Sequence, residues 1–199
     1  MMEEDNIYQF FPVHFMLHET QSAVNFGQIF RICDMFHMWL DVYDPRGIFQ
    51  DDEKRKTIHD FSVGALNRLR DFMVLDFDVY RQNMQGRMIA TCLEEDSVKL
   101  NDFTFQPHDV VFMGNEYDGL PQHLIDEADV KLYIPLPPGE APKPRSFSPI
   151  DENRTAQVNQ VGVPNLSLSM SCAIIAYALQ VQREGMPTYH ELVEQLKNK

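Results

Sequence analysis

Few residues in this 199-residue sequence are grouped in a way that chemistry could use. Asn25, Gly27 and Arg31 lie in the run NFGQIFRICDMF, Glu116 stands as a lone carboxylate between Gly114 and Gly119, and Asn165, Ser167 and Ser169 alternate with leucines in NLSLSM. An amide, a guanidinium, a carboxylate and small hydroxyls are groups for gripping a polar ligand. The guanidinium stays protonated and offers a planar fork suited to phosphate or carboxylate. Other chemistries lack their patterns. The seven histidines form no spaced ligand set, the serines sit in no G-x-S-x-G elbow, and there is no G-x-G-x-x-G or phosphate-binding lysine loop.

Elements that position these residues follow from periodicity. Val110 to Met113 reads as a buried strand, broken at Gly114. From Gly119 a helical segment places Leu120, Leu124, Ile125 and Ala128 on one face, and Lys131 to Ile134 is a second short strand stopped by Pro135. Strand, glycine loop with one carboxylate, helix and strand is the layout of an α/β ligand site, with the ligand at the carboxyl ends of the strands. Upstream, Pro12 to Leu17 reads as a first strand. Asn25 to Phe36 reads as a helix that Asn25 can cap, with Gly27 allowing close backbone approach, and Leu40 to Tyr43 as a second strand. Ile58 to Leu69 and Asp78 to Gln85 read as helices, and Arg87 to Leu93 as a strand. Asn165 to Val181 runs into an apolar helix, and Thr188 with Glu191 starts a closing one. The proline-rich stretch 138–164 is longer than ordinary loops and is expected to be a mobile insertion.

Length predicts one domain over residues 1–199, and the composition is that of a soluble globular protein. No apolar run suffices for a membrane span, the acidic N-terminus is unlike a secretory signal, and Cys33, Cys92 and Cys172 carry no metal spacing. A cytoplasmic protein with buried, inert thiols and no bound metal is expected. The net charge of -13 argues against a broad basic face for nucleic acid, so any RNA surface must be local. Basic residues group only at Lys54 to Lys56, Arg68 and Arg70, Arg81 and Arg87, and Lys143 and Arg145; taken singly, each group reads as solvated surface charge.

Read together, three segments resemble the motifs of the SpoU (TrmH-like) branch of the SPOUT RNA methyltransferases. Asn25, Gly27, Ile29 and Arg31 match the first. Met113, Gly114, Glu116, Gly119 and Leu120, followed by Ile134, Pro135 and Leu136, match the second. Asn165, Leu166, Ser167, Leu168, Ser169 and Ser171 match the third. The resemblance runs from about Val13 to Leu179 and is greatest to the minimal members without an added RNA-binding domain. It implies an α/β fold, a mostly parallel sheet flanked by helices with a deep C-terminal trefoil knot. It implies a homodimer, S-adenosyl-L-methionine as cofactor, and methyl transfer to a ribose 2′-hydroxyl of a tRNA or rRNA substrate. Asn25, Arg31, Glu116 and Ser167 would be catalytic, with Glu116 orienting Arg31 or Asn25. Thr91, Gly114, Asn115, Ile134, Asn165, Leu166 and Ser169 would hold the cofactor. One departure stands out: the asparagine and the leading serine of the third motif are exchanged, at Ser167 and Asn165. That exchange keeps open an alternative, a cofactor-binding interaction module without methyl transfer.

Overall fold

In the computed structural model, residues 11–69, 72–136 and 166–183 are described, together with positions 191, 194 and 197. Six strands form one sheet in the order β2-β1-β5-β3-β6-β4, and every pairing is parallel. The strands are β1 (Phe11–His18), β2 (Met38–Tyr43), β3 (Met88–Thr91), β4 (Val98–Lys99), β5 (Val110–Met113) and β6 (Val130–Tyr133). The trefoil crossing and the insertion expected at 138–164 fall outside the described residues, as do Asn165 and Thr188. Among the described residues no helix is long and apolar enough to cross a membrane, and no three metal-binding side chains cluster.

Alternation along β1 sets two hydrophobic layers. Val13, Phe15 and Leu17 point to one face and pack with α1 (Ala23–Phe36), α2 (Asp52–Ser62), α3 (Ala65–Arg68) and α6 (Leu168–Gln182). Met16 points to the other and packs with Phe112, Leu124 and Ile125, beneath α4 (Phe77–Gln82) and α5 (Gln122–Asp126). On that second face, Tyr80 donates to Asp41 Oδ2 at 2.7 Å, and His14 Nδ1 lies 2.8 Å from the same oxygen. Burial and the Asp41 charge push the Tyr80 phenol up, so it stays a donor. Cys33 and Cys172 are fully buried between α1 and α6, and burial holds the Cys33 thiol well above its ordinary value, which suits an inert role.

Two local expectations are corrected, and one further contact is added. Ser22, not Asn25, caps α1: its hydroxyl accepts from the Asn25 backbone N–H, so Asn25 sits inside the first turn. The helix expected over Ile58 to Leu69 is two helices, because Val63 and Gly64 adopt left-handed backbone at φ 50° and 84°. The apolar stretch Phe72 to Leu75 clips onto β2: the Val42 N–H bonds to Phe72 O, and the Val74 N–H returns to Val42 O.

The tightest helix contact in this layer is at Gly27. A Cβ there would come within 2.5 Å of Phe61 Cβ and 2.8 Å of Ile58 O, so α1 and α2 approach at the distance only glycine permits. Gly27→Val is expected to lower stability by about 1–3 kcal/mol through overpacking, read as an earlier denaturation midpoint at unchanged slope. A midpoint equal to wild type would show that the helices can separate freely.

Candidate active site

β1 and β5 lie side by side, yet the chain leaves their carboxyl ends in opposite directions. After β1 it crosses through α1 on the first face to β2; after β5 it passes through α5 on the second face to β6. Such a switch point opens a crevice at the strand ends, where α/β folds bind ligands.

Glu116, from the loop after β5, reaches across this crevice. Its Oε2 accepts the Gln21 N–H at 3.0 Å, and its Oε1 accepts the Ser22 N–H at 3.1 Å and Asn25 Nδ2 at 2.8 Å. The carboxylate thereby satisfies donors that the helix start leaves open, at the end where a negative charge is favoured. The loop presenting it is rigid. Asn115 Oδ1 accepts from the Tyr117 and Asp118 N–H groups, and Asn115 and Gly119 exchange two backbone bonds at 3.2 and 3.1 Å. Gly114 is required beside that bridge, since a Cβ would fall 2.1 Å from the Gly119 carbonyl carbon. The Asn115 side chain therefore shapes its own loop.

An ionised carboxylate only accepts, so the Asn25 nitrogen must face Glu116 and its oxygen must point away. That oxygen lies 3.2 Å from Ser169 Oγ in the first turn of α6. Ser169 is buried, and its Oγ is also 2.6 Å from Gln28 Oε1 and 3.2 Å from Ser167 Oγ. Ser167 caps α6 by accepting the Met170 N–H at 3.2 Å. One residue from each of the three distant segments, Asn25, Glu116 and Ser169, thus enters a single hydrogen-bonded chain. The serine that faces Asn25 is Ser169, while Ser167 terminates the helix.

Arg31 lies one turn beyond Gln28 on α1 and does not touch Glu116. It is exposed, with no hydrogen bond or ion pair among the described residues. It opens onto a cleft of about 370 Å³ between α1, α2 and α6, whose other walls include Gln28, Met35, Phe61, Ser169 and Met170. The remaining cations are mostly engaged: Arg68 with Asp34, Arg81 with Glu127, and Arg87 with the buried Asp109 at 2.7 Å each. Gln28 was not singled out by its sequence; the signal available was its spacing of three from Arg31, which puts both on one helix face.

Three of the expected cofactor positions, Thr91, Gly114 and Ile134, lie at or just beyond the carboxyl ends of β3, β5 and β6. Thr91 pairs with Leu132, and its hydroxyl donates to Phe112 O at 2.8 Å. Gly114 and Ile134 thus flank it on the two neighbouring strands, about 10 Å apart by strand spacing. Leu166 lies just before α6, and Ser169 lies in its first turn. Thr91, Gly114, Ile134, Pro135 and Leu136 are uncharged; Gly114 is buried, Thr91, Ile134 and Leu136 are half-buried, and Pro135 is exposed.

A model of the SpoU rRNA Methylase family matches residues 12–141. A tRNA (cytidine(34)-2'-O)-methyltransferase of Beijerinckia indica is 28% identical over 126 residues, 61% of this chain and 76% of its own. Solved structures share the fold. One, from work on 2-OH methylation of C/U34 on tRNA, superposes with a TM-score of 0.67 at 18% identity, over 87% of this chain and 97% of its own. The SpoU methyltransferase AviRb from Streptomyces viridochromogenes in complex with AdoMet superposes with a TM-score of 0.65 at 18% identity, over 94% of this chain and 64% of its own.

Glu116→Ala is expected to cost about 2 kcal/mol, because each donor left unpaired away from water costs about 1–3 kcal/mol. Chemical denaturation measures it. Wild-type stability in that variant would mean that Gln21, Ser22 and Asn25 find other acceptors.

Proposed function

Because the chain belongs to the SpoU rRNA methylase family, whose model covers residues 12–141, we propose that it methylates a ribose 2′-hydroxyl of cytoplasmic RNA as a single domain. S-adenosyl-L-methionine, when bound, supplies a methyl group made electrophilic by the sulfonium. The observation that supports this reading most is the convergence of Asn25, Glu116 and Ser169 beside a cleft-facing arginine, Arg31. Curated relatives act on cytidine 34 of tRNA, which makes a tRNA wobble ribose the favoured substrate.

The chain's own residues have defined tasks in this reading. Transfer to a hydroxyl needs in-line alignment and help with a proton. Arg31, always protonated, cannot take that proton; it clamps the adjacent phosphate and draws charge from the hydroxyl, while the proton leaves to water. Asn25, aimed by Glu116, presents its amide oxygen toward α6. Thr91, Gly114, Ile134 and Leu166 contribute the backbone rim for the adenosine. The Ser167 hydroxyl oxygen accepts the cap bond of α6.

A second copy of the chain fits the same region. On α6, Met170, Ile174, Tyr177 and Val181 form one exposed apolar stripe at helical spacing, opposite the buried Cys172, Ile175, Ala176 and Leu179. Met35 and Phe61 extend it from α1 and α2. A homodimer through this stripe covers apolar surface that a monomer would leave in water.

Two measurements test these readings. Labelled cofactor is expected to methylate total tRNA, and Arg31→Ala to reduce the rate about 100-fold or more, the scale of losing one charge-stabilising donor. An Arg31→Ala enzyme as fast as wild type removes the assigned role, and absence of transfer by wild type to tRNA and rRNA removes the function. For assembly, light scattering is expected to give twice the chain mass for wild type and the single mass for Ile174→Glu. A monomeric wild type sinks the dimer.

A further inference from the structure

His18 ends β1 in a setting unusual for a histidine. It is 4% exposed and makes no hydrogen bond among the described residues. Alternation puts it on the same face as Met16, where the Phe77 ring of α4 meets it edge-on at 4.9 Å and the Tyr43 ring of β2 lies at 5.4 Å. An unpaired polar group is costly in such a place, and a charged one far more so. The charges that act on the imidazole come from Glu19, next in the chain, and from His123 on α5; β2 and α4 contribute the two rings and no charge. Glu19 is itself paired with Arg46 at 3.1 Å. Burial lowers the His18 pKa, Glu19 opposes that shift and His123 adds to it, so the ring is neutral at neutral pH.

The residues that follow His18 form the turn that carries the Glu116 contacts. Glu19 adopts left-handed backbone at φ 55° and donates its N–H to Tyr43 O at 3.0 Å, Thr20 is fully buried, and the Gln21 and Ser22 N–H groups reach Glu116. A residue other than glycine keeps such backbone only where its surroundings impose it. We propose that His18 is an acid-sensitive latch on this turn: once protonated, its ring leaves the contacts with Tyr43 and Phe77 for water, the backbone at Glu19 relaxes, and Gln21 and Ser22 release Glu116. Only Glu19 and Thr20 separate His18 from Gln21, so a displaced ring draws the turn with it. The closed turn accommodates the neutral ring. Closure is therefore intact above the ordinary histidine value of about 6.5 and weakens as pH falls below it. The latch stands apart from the RNA-methylating reading, because it concerns the chain with neither cofactor nor RNA bound.

Hydrogen exchange of the full chain, read by mass spectrometry over the peptide that holds Gln21 and Ser22, tests it. Protection factors remove the intrinsic pH dependence of exchange. Wild-type protection in this peptide is expected to be constant above about pH 7 and to fall below about pH 6.5 by up to about tenfold per pH unit, the limit for one proton, while β5 stays protected. His18→Phe keeps a ring that cannot charge, and its protection is expected not to change with pH; His18→Gln, a smaller neutral side chain, should behave alike if phenylalanine disturbs folding. His123→Gln removes a repelling neighbour and should make the fall smaller. Wild-type protection that is the same at about pH 7.5 and about pH 5.5 overturns the proposal. So does a fall that persists in the neutral variants, or one that β5 shares equally.

Discussion

Three donors meeting on the carboxylate of Glu116 hold the rest of the site in place. The Gln21 and Ser22 N–H groups belong to the turn that starts α1, and the Asn25 amide lies one turn in. The acceptor comes from 91 to 95 residues away, from a loop whose own shape is fixed by Asn115 and by the glycine at 114. A helix start leaves its first N–H groups open, and most proteins fill them with a local side chain or water. Here Ser22 fills one locally and the distant carboxylate fills others, so the junction of β1 with α1 is defined only when β5 is in register beside β1. Position of the site and formation of the central sheet are the same event.

From that anchor the polar order runs outward while the apolar order supports it from beneath. Asn25, Ser169 and Gln28 follow in sequence across the α1 and α6 interface, over a floor of Phe26, Ile29, Cys33, Cys172 and Ala176 that is fully or nearly fully buried. Close packing of that floor denies the two helices room to slide, so hydrogen-bond distances at their ends persist. Gly27 extends the same logic to α2, bringing Phe61 to the cleft wall.

Much of this was legible in the sequence because it was written in short-range patterns. Pro12 to Leu17 read as the first strand, the apolar run Val110 to Met113 marked β5, the short segment stopped by Pro135 marked β6, and glycines marked the loops, so the meeting of distant segments at parallel strand ends was foreseeable. What escaped depended on distant partners. Ser22 and Asn25 are both good caps, and the choice between them fell to the bonds that Glu116 makes with that turn. The apolar pattern runs without interruption through Ile58 to Leu69, and only tertiary context puts Val63, a β-branched residue, into left-handed backbone. Ser167 and Ser169 have identical chemistry two positions apart. Which of them caps α6 and which faces Asn25 follows from where the helix begins, a boundary that propensity fixes poorly.

The pairing of cations with carboxylates has a thermodynamic result for nucleic-acid binding. Arg46, Arg68, Arg81, Arg87 and Lys131 are each held by an acidic partner, which leaves Arg31, Lys99 and a few α2 side chains as the charges free to meet phosphates among the described residues. Displaced counterions drive most protein association with polyanions, and a surface that neutralises few phosphates displaces few of them. For this region, ionic strength is therefore a weak lever: the logarithm of affinity falls on a shallow slope as salt rises, and discrimination rests on directional bonds rather than on bulk attraction.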